Sequence, residues 1–382
     1  MATLAVNSAQ AQLRLPIAPL PALPVQKLTQ TVGQAGAGTI EQLSDARHLL
    51  TANLIRTNPR TVAADPHGNP IVRGELLAYS PAMPAIEAAQ ANGFRIARQL
   101  SAGDLDIHLV VLQAPPSMSI VKALRQLREA DPAGTYDFNH IYTGVGVVSA
   151  GVSGDAPSPQ SPAAGRPDQP VPRVGLIDSG VDGSHPVFRG ALIHAWGCGE
   201  RVLPSAHGTA AASLLVGQST RFHGVLDKAE LYAADVYCNA PTGGAVDALA
   251  AAFGWLAEQR VAVINVSLVG PDNAALALIV RALTSRGYLL VAAVGNDGPA
   301  APPLYPASYP HVVGVTAVDA HRRVLIEAAR GNQVMFAARG ADMSAADIGG
   351  RYSAIRGTSF AAPIVAALLA QSVTTPERTR DQ

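Results

Sequence analysis

From residue 173 onward the chain repeats one pattern: a short apolar run without polar alternation, then a stretch with helical spacing. "RVGLID" (173–178), "ELYAADVY" (230–237), "VAVINVSL" (261–268), "YLLVAAVG" (288–295) and "HVVGVTAV" (311–318) read as buried strands. "GTAAASLLVG", "AVDALAAAFGWLAEQ" and "AALALIVRALTSRG" read as the helices between them. Strands apolar on both faces must be covered on both faces, and strands separated by helices run parallel. The expected fold class is therefore α/β, a parallel sheet with helices on both faces. Ligands bind such sheets outside the carboxyl ends of the strands, so the chemistry is sought there.

The preceding residues are organised differently. Residues 1–38 are rich in Pro, Gln and Gly, and Thr39-Ile40-Glu41-Gln42 fits a capping box for a helix to about Ile55. Residues 1–64 are thus expected to be a loose segment with one helix. From 65 to about 145 the reading is strand "IVRGELLAY" (71–79), helix "MPAIEAAQANG" (83–93), strand "IHLVVL" (107–112), helix "SIVKALRQLREAD" (119–131) and strand "GTYDFNHIY" (134–142). Two helices among several strands in so short a stretch suggest a small α+β domain of the ferredoxin-like kind. Six prolines between Pro157 and Pro172 mark 146–172 as a linker. The alternating region then runs from 173 to 382.

Composition excludes several classes. The chain is 48% hydrophobic and 15% charged with a net charge of +0, which describes a packed globular protein. No charge excess points to nucleic acid, and no apolar run reaches the roughly 18 residues that span a bilayer. "GQAGAG" (33–38) is not followed by Gly-Lys-Ser/Thr and is no phosphate loop. "MATLAVNSAQAQ" carries an Ala9-Gln10-Ala11 triplet like a signal cleavage site, but has no basic start and little apolar run. It reads equally as a remnant of a secretion signal or as an ordinary N-terminus.

Three reactive side chains fall at element ends. Asp178 ends the strand "RVGLID", His207 opens the helix "HGTAAASLLVG", and Ser359 opens "GTSFAAPIVAALLA". Serine is a weak nucleophile alone. A neutral imidazole in reach takes its proton, and a carboxylate fixes the imidazole tautomer. The helix start adds positive potential, Ala361 and Ala362 leave room, and Pro363 is expected in or just after the first turn. Where "VAAVGNDG" breaks at Gly295-Asn296, a side-chain amide can donate to an oxyanion. Each piece alone is weak, but together and in this order they are specific.

The pieces "GLIDSGVDGSHP", "HGTAAASLLVG", "INVSLVGP", "VAAVGNDGP" and "GTSFAAP" resemble the motif set of the subtilisin-like serine peptidases, the subtilases, over roughly 173–370. The resemblance implies a serine endopeptidase with a subtilisin-like fold, acting on polypeptides; no cofactor or metal site is expected from this sequence. It implies Asp178, His207 and Ser359 as catalytic residues and Asn296 with the Ser359 N–H as oxyanion donors. Ser267, Leu268, Val269 and Gly270 would pair with the substrate main chain; Ala292, Ala293 and Gly295 would line the pocket before the scissile bond. Many subtilases carry an N-terminal pro-domain that assists folding and blocks the site. "GTYDFNHIYTGVG" resembles the end of such a domain, implying that Thr143 to Ser149 lie in the active site and are cut there. The alternative is a permanent accessory domain.

The chain departs from the family pattern in four places. Val269 stands where Gly is usual, which should narrow the cleft and favour small residues beside it. The calcium-binding insertion usual after the His helix is missing from "VGQSTRFHGVLDKAELY", so no calcium is expected in that loop. Only 23 residues follow Ser359, which keeps open a second class of function: a catalytically silent, subtilase-like protein-binding module. Last, Cys198 and Cys238 would form a disulfide if the protein is secreted or periplasmic, or remain two buried thiols otherwise. A metal at His194 and Cys198 is poorly supported without CxxC or HExxH, and the absence of GxSxG argues against a lipase or esterase.

Overall fold

The computed structural model describes residues 38–144, 146–149, 171–220 and 222–376. The expected loose N-terminus to residue 37 and most of the Pro-rich linker lie outside them. Chain contacts divide the molecule at Thr39–Ile40, and the described elements belong to the unit from Ile40 on, apart from residues 38 and 39, which begin its first helix.

The N-terminal part opens with helix α1 (Gly38–Thr57), followed by β1 (Val62–Ala64), β2 (Pro70–Tyr79), α2 (Met83–Ala91), β3 (Arg95–Ala102), β4 (Ile107–Gln113), α3 (Ile120–Ala130) and β5 (Thr135–His140). From β2 this is a β-α-β-β-α-β order. The sheet is antiparallel, ordered β5-β2-β4-β3, with β1 pairing the start of β2 on the side opposite β5. Alternation along the strands sends Leu76, Ala78, Val110, Leu112 and Phe138 to one face, where Ile86 of α2 and Leu124 and Leu127 of α3 cover them. Leu77, Leu109 and Val111 point to the other face.

The chain continues through two short strands, β6 (Thr143–Gly144) and β7 (Val147–Ser149), and then enters the alternating region. Its elements are β8 (Arg173–Asp178), β9 (Leu192–Trp196), α4 (Ala206–Val216), β10 (Glu230–Asp235), α5 (Val246–Glu258), β11 (Val263–Val266), β12 (Leu268–Val269), α6 (Ala274–Ser285), β13 (Leu289–Ala293), β14 (Val313–Val318), β15 (Val334–Arg339), β16 (Met343–Asp347), β17 (Arg351–Arg356) and α7 (Thr358–Ala370). Seven of these strands form one parallel sheet, ordered β15-β14-β13-β11-β8-β10-β9. Helices α4 and α7 bury Ala210, Leu214, Ile364 and Ala367 against one face. Helices α5 and α6 bury Leu249, Phe253, Leu276 and Ile279 against the other. The α/β class read from the sequence is the observed one.

Helices α5 and α6 are covered on their outer side by the second face of the N-terminal sheet. Leu77, Leu109 and Val111 belong to the same core as Phe253 and Ile279. No helix among the described residues is long and apolar enough to cross a membrane. Cys198 and Cys238 form a disulfide, with Cα atoms 5.2 Å apart.

Candidate active site

The carboxyl ends of the parallel strands carry the reactive side chains. Asp178 is the last residue of β8, His207 the second of α4, and Ser359 the second of α7. The three meet in space. His207 Nδ1 lies 2.8 and 2.9 Å from the two Asp178 carboxylate oxygens, and His207 Nε2 lies 3.0 Å from Ser359 Oγ. A carboxylate only accepts, so Nδ1 holds the proton and Nε2 presents its lone pair to the serine hydroxyl. Asp178 and Ser359 are buried, and the His207 ring leans on the Phe360 ring, 5.0 Å between centroids.

A fourth residue, not singled out from the sequence, ties this set together. Ser179 donates its N–H and its hydroxyl to Asp178 Oδ1 at 2.6 and 2.9 Å, and its Oγ accepts the Gly208 N–H at 3.1 Å. The end of β8 is thereby bonded to the helix that carries His207. The approach is so close that a Cβ on Gly208 would collide with the Ser179 carbonyl. Its signal in the sequence was the hydroxyl between Asp178 and Gly180. On the neighbouring strand, in register with Asp178, burial pushes the Asp235 carboxyl up; N–H donors from Cys238 and Tyr237 oppose this, and Asp178 adds to it.

Asn296 lies just past β13. Its Oδ1 accepts the Thr358 N–H at 3.1 Å, which turns Nδ2 the other way. There Nδ2 comes within 2.7 Å of where a Gly357 Cβ would be, and the same point is 2.7 Å from the Gly146 Cα. Gly357 has φ +139, open only to glycine, so the approach to Ser359 is kept clear by backbone choice. The Ser359 N–H is in the first turn of α7, where a helix supplies no acceptor of its own.

Pro363 is the sixth residue of α7, deeper than the first turn expected for it. Proline has no N–H to give the carbonyl four residues back, which is that of Ser359. Ser267 takes this role: its hydroxyl donates to the Ser359 carbonyl at 3.0 Å while accepting from Asn265 Nδ2 at 2.7 Å. The Ser267 side chain thus serves the helix that carries Ser359.

The backbone of Leu268 and Val269 pairs antiparallel with the chain's own β6, Leu268 opposite Gly144 and Val269 opposite Thr143. On the opposite wall the Tyr142 N–H donates to the Gly244 carbonyl at 2.8 Å, and Ile141 bridges Ala245. The tail of the N-terminal part thus runs as a strand beside Leu268–Val269 and is tied on its other side to the turn at Gly244–Ala245. It then reaches Ser359: a Cβ on Gly146 would sit 2.5 Å from Ser359 Oγ. Beyond that, β7 pairs antiparallel with β17, Val147 opposite Arg356 and Ser149 opposite Ala354. Gly270 lies under the Tyr142 ring, and Val269 is fully buried. Ala292 and Ala293 are buried in the cores on opposite faces of β13, and Gly295 beyond them has φ +101 against Leu304.

Helix α1 also reaches this region. Arg47 donates to Asp297, the neighbour of Asn296, at 3.1 Å, and Leu54 and Ile55 pack with Ile141 and Ala245. Burial pushes the Asp297 carboxyl up, and Arg47 offsets part of that. Among the described residues the atoms grouped as for a metal are those of Cys198, Asp235 and Cys238, but both sulfurs are held in the disulfide. His194 instead stacks on Tyr232, 4.4 Å between centroids.

The model of the subtilase family matches residues 172–379 of the chain. Subtilisin E of Bacillus subtilis (strain 168) is 32% identical over 203 residues, covering 51% of this chain and 53% of its own length. Subtilisin Savinase of Lederbergia lenta is 33% identical over 199 residues, covering 51% of this chain and 73% of its own. The chain thus spans about half the length of several of the curated relatives it matches. Among solved structures, fervidolysin from Fervidobacterium pennivorans, a keratinolytic enzyme related to subtilisin, superposes with TM-score 0.65 at 18% identity, covering 81% of this chain and 57% of that one. At that identity the likeness is one of fold.

Proposed function

Because the chain belongs to the subtilase family, we propose that it is a serine endopeptidase acting through Asp178, His207 and Ser359, made as a precursor that cuts itself. The observation that carries this reading is the hydrogen-bonded series Asp178–His207–Ser359 with the chain's own backbone lying on Ser359 Oγ at Gly146.

The chemistry follows from the donors and acceptors. Ser359 Oγ attacks the carbonyl carbon of a peptide bond, and its proton passes to His207 Nε2. Asp178, held by Ser179, stabilises the imidazolium through Nδ1–H. The carbonyl oxygen becomes an anion that Asn296 Nδ2 and the Ser359 N–H can bind. The C–N bond breaks as His207 returns the proton to the leaving amine, and water repeats the sequence on the acyl-serine. Main-chain pairing along Leu268–Val269 and at Gly244 would hold a substrate in the extended form now taken by Ile141 to Gly144.

In this reading residues 65–145 are a ferredoxin-like pro-domain, inhibitor and folding partner of the rest. The bond on the N-terminal side of Gly146 is the one to be cut, within the stretch Thr143 to Ser149 expected from the sequence. The disulfide supports export to the cell surroundings or the periplasm, where thiols are oxidised.

Intact mass of the purified chain after incubation, beside Ser359→Ala, tests this. The wild type is expected to lose about 145 residues at its N-terminus while the variant stays whole, an all-or-none effect of removing the nucleophile. If both stay whole and a fluorophosphonate probe leaves Ser359 unlabelled, the endopeptidase reading fails and a silent protein-binding module stands in its place.

A further inference from the structure

Tyr142 is the fourth residue ahead of the bond on Gly146, and it is the most fully enclosed part of the tail. It is 0% exposed. Its N–H donates to the Gly244 carbonyl at 2.8 Å, and its carbonyl accepts the Tyr237 hydroxyl at 3.2 Å. Its ring lies flat against Gly270: a Cβ there would come within 2.7 Å of ring atoms. Gly270 is thus needed as glycine for the space above it.

The far end of the pocket is polar. The Tyr142 hydroxyl donates to the Pro271 carbonyl at 2.5 Å. Tyr309 stands beside it, donating its own hydroxyl to the Asn273 carbonyl and accepting the Asn273 N–H, both at 3.0 Å. Tyr309 is thereby fixed in place, and the Tyr142 hydroxyl reaches it as well. The carbonyl of the half-buried Pro271 is satisfied by the hydroxyl of an occupant that fills the pocket; a bare ring end covers it without giving it a donor.

We propose that this pocket selects tyrosine, through its hydroxyl, at the fourth position before the bond that Ser359 cuts. The own-chain Tyr142 is its first occupant, and substrates with tyrosine there are its later ones. This rests on the catalytic reading, with the tail bound as a substrate is bound. Phenylalanine fills the ring space but leaves the Pro271 carbonyl unpaired. Leucine and alanine leave the surface over Gly270 uncovered. A site built to bond a hydroxyl discriminates against its absence far better than an apolar pocket discriminates on size.

The full chain, after it has been allowed to process itself, is given the octapeptide Tyr-Thr-Gly-Val-Gly-Val-Val-Ser, capped at both ends, and its relatives with Phe, Leu or Ala at the first position. Cleavage before the second glycine is followed by mass. Tyrosine is expected to exceed phenylalanine in kcat/KM by about 10- to 100-fold, and alanine by more. Gly270→Ala should erase the preference by filling the ring space. In a chain that keeps its tail in place, Tyr142→Phe and then Tyr142→Ala should speed labelling of Ser359 by fluorophosphonate. Equal cleavage of the Tyr and Phe peptides, or equal labelling of the three chains, overturns the proposal with the catalytic reading intact. No cleavage and no labelling overturns both.

Discussion

Ser267 shows how one hydroxyl can be spent on the scaffold. Pro363 leaves the Ser359 carbonyl without its helical donor, in a site that is 0% exposed, and Ser267 restores the bond. Asn265 donates to Ser267 Oγ, so the Ser267 proton has one direction left, toward Ser359. Replacing Ser267 by Ala should leave both the Ser359 carbonyl and the Asn265 amide without partners. A loss of about 1–3 kcal/mol is expected for one buried polar group left unmade. Urea unfolding of Ser267→Ala and Ser267→Thr in the Ser359→Ala background measures it, with Thr expected to keep most of the stability. Midpoints equal for Ala and wild type would mean that the bond contributes nothing. "INVSLVGP" marked Ser267 as part of a substrate segment; its service to α7 depends on a proline almost a hundred residues away and could be seen only in the fold.

The elements most legible in the sequence were those with both faces covered. Strands β8, β11, β13 and β14 carry continuous apolar runs because helices lie above and below them. Of the strands that escaped notice, β3, β9 and β15 are sheet edges: "RIARQLSA", "LIHAW" and "VMFAAR" are half covered and leave their outer side chains in solvent. The turn joining β1 to β2 was equally silent, yet one carboxylate organises it. Asp65 Oδ1 accepts the N–H groups of His67 and Asn69, both at 2.8 Å, while Oδ2 accepts from Asn69 Nδ2 at 3.0 Å and faces His140 Nε2 at 3.2 Å. Burial raises this carboxyl's pKa, but these hydrogen bonds outweigh it and bring it down to about 2. A carboxyl depressed on folding stabilises the native state above its unfolded pKa of about 4, and that contribution is lost as pH falls through about 2. The depression corresponds to about 2 kcal/mol. Acid unfolding followed between pH 5 and 1.5 should therefore be less steep for Asp65→Asn, which starts less stable at pH 7. An unchanged acid slope would remove Asp65 from the causes of acid unfolding.

At the scale of the whole molecule, the N-terminal sheet is bound on two faces, and under the proposed self-cleavage at Gly146 this would set the fate of the two pieces. One face is closed by α2 and α3; the other gives Leu77, Leu109 and Val111 to the core under α5 and α6. Specific polar bonds fix the fit. Asp137 Oδ2 accepts the Ala274 N–H at 2.7 Å at the start of α6, where negative charge also meets the positive helix end. The side chain of Asn273 donates to the Phe138 carbonyl at 2.9 Å and to His140 Nδ1 at 2.9 Å. Arg98 bridges Glu75 and Asp247 at 2.6 and 2.7 Å, but it is 43% exposed and adds little to affinity. None of these contacts needs the peptide bond at Gly146, so the two pieces of a cut chain are expected to elute together in size exclusion. Half-molar salt, which screens the Arg98 bridge but neither the apolar face nor the buried bonds, should leave them together. Asp137→Ala strips the first turn of α6 of its acceptor across the interface, and a loss of about 1–3 kcal/mol in association is expected. Dissociation on dilution, read by native mass, should then appear at about 10- to 100-fold higher protein concentration than for the wild type. A wild-type N-terminal piece that elutes alone as soon as it is cut would mean that the covalent link, and not this interface, holds the tail over Ser359.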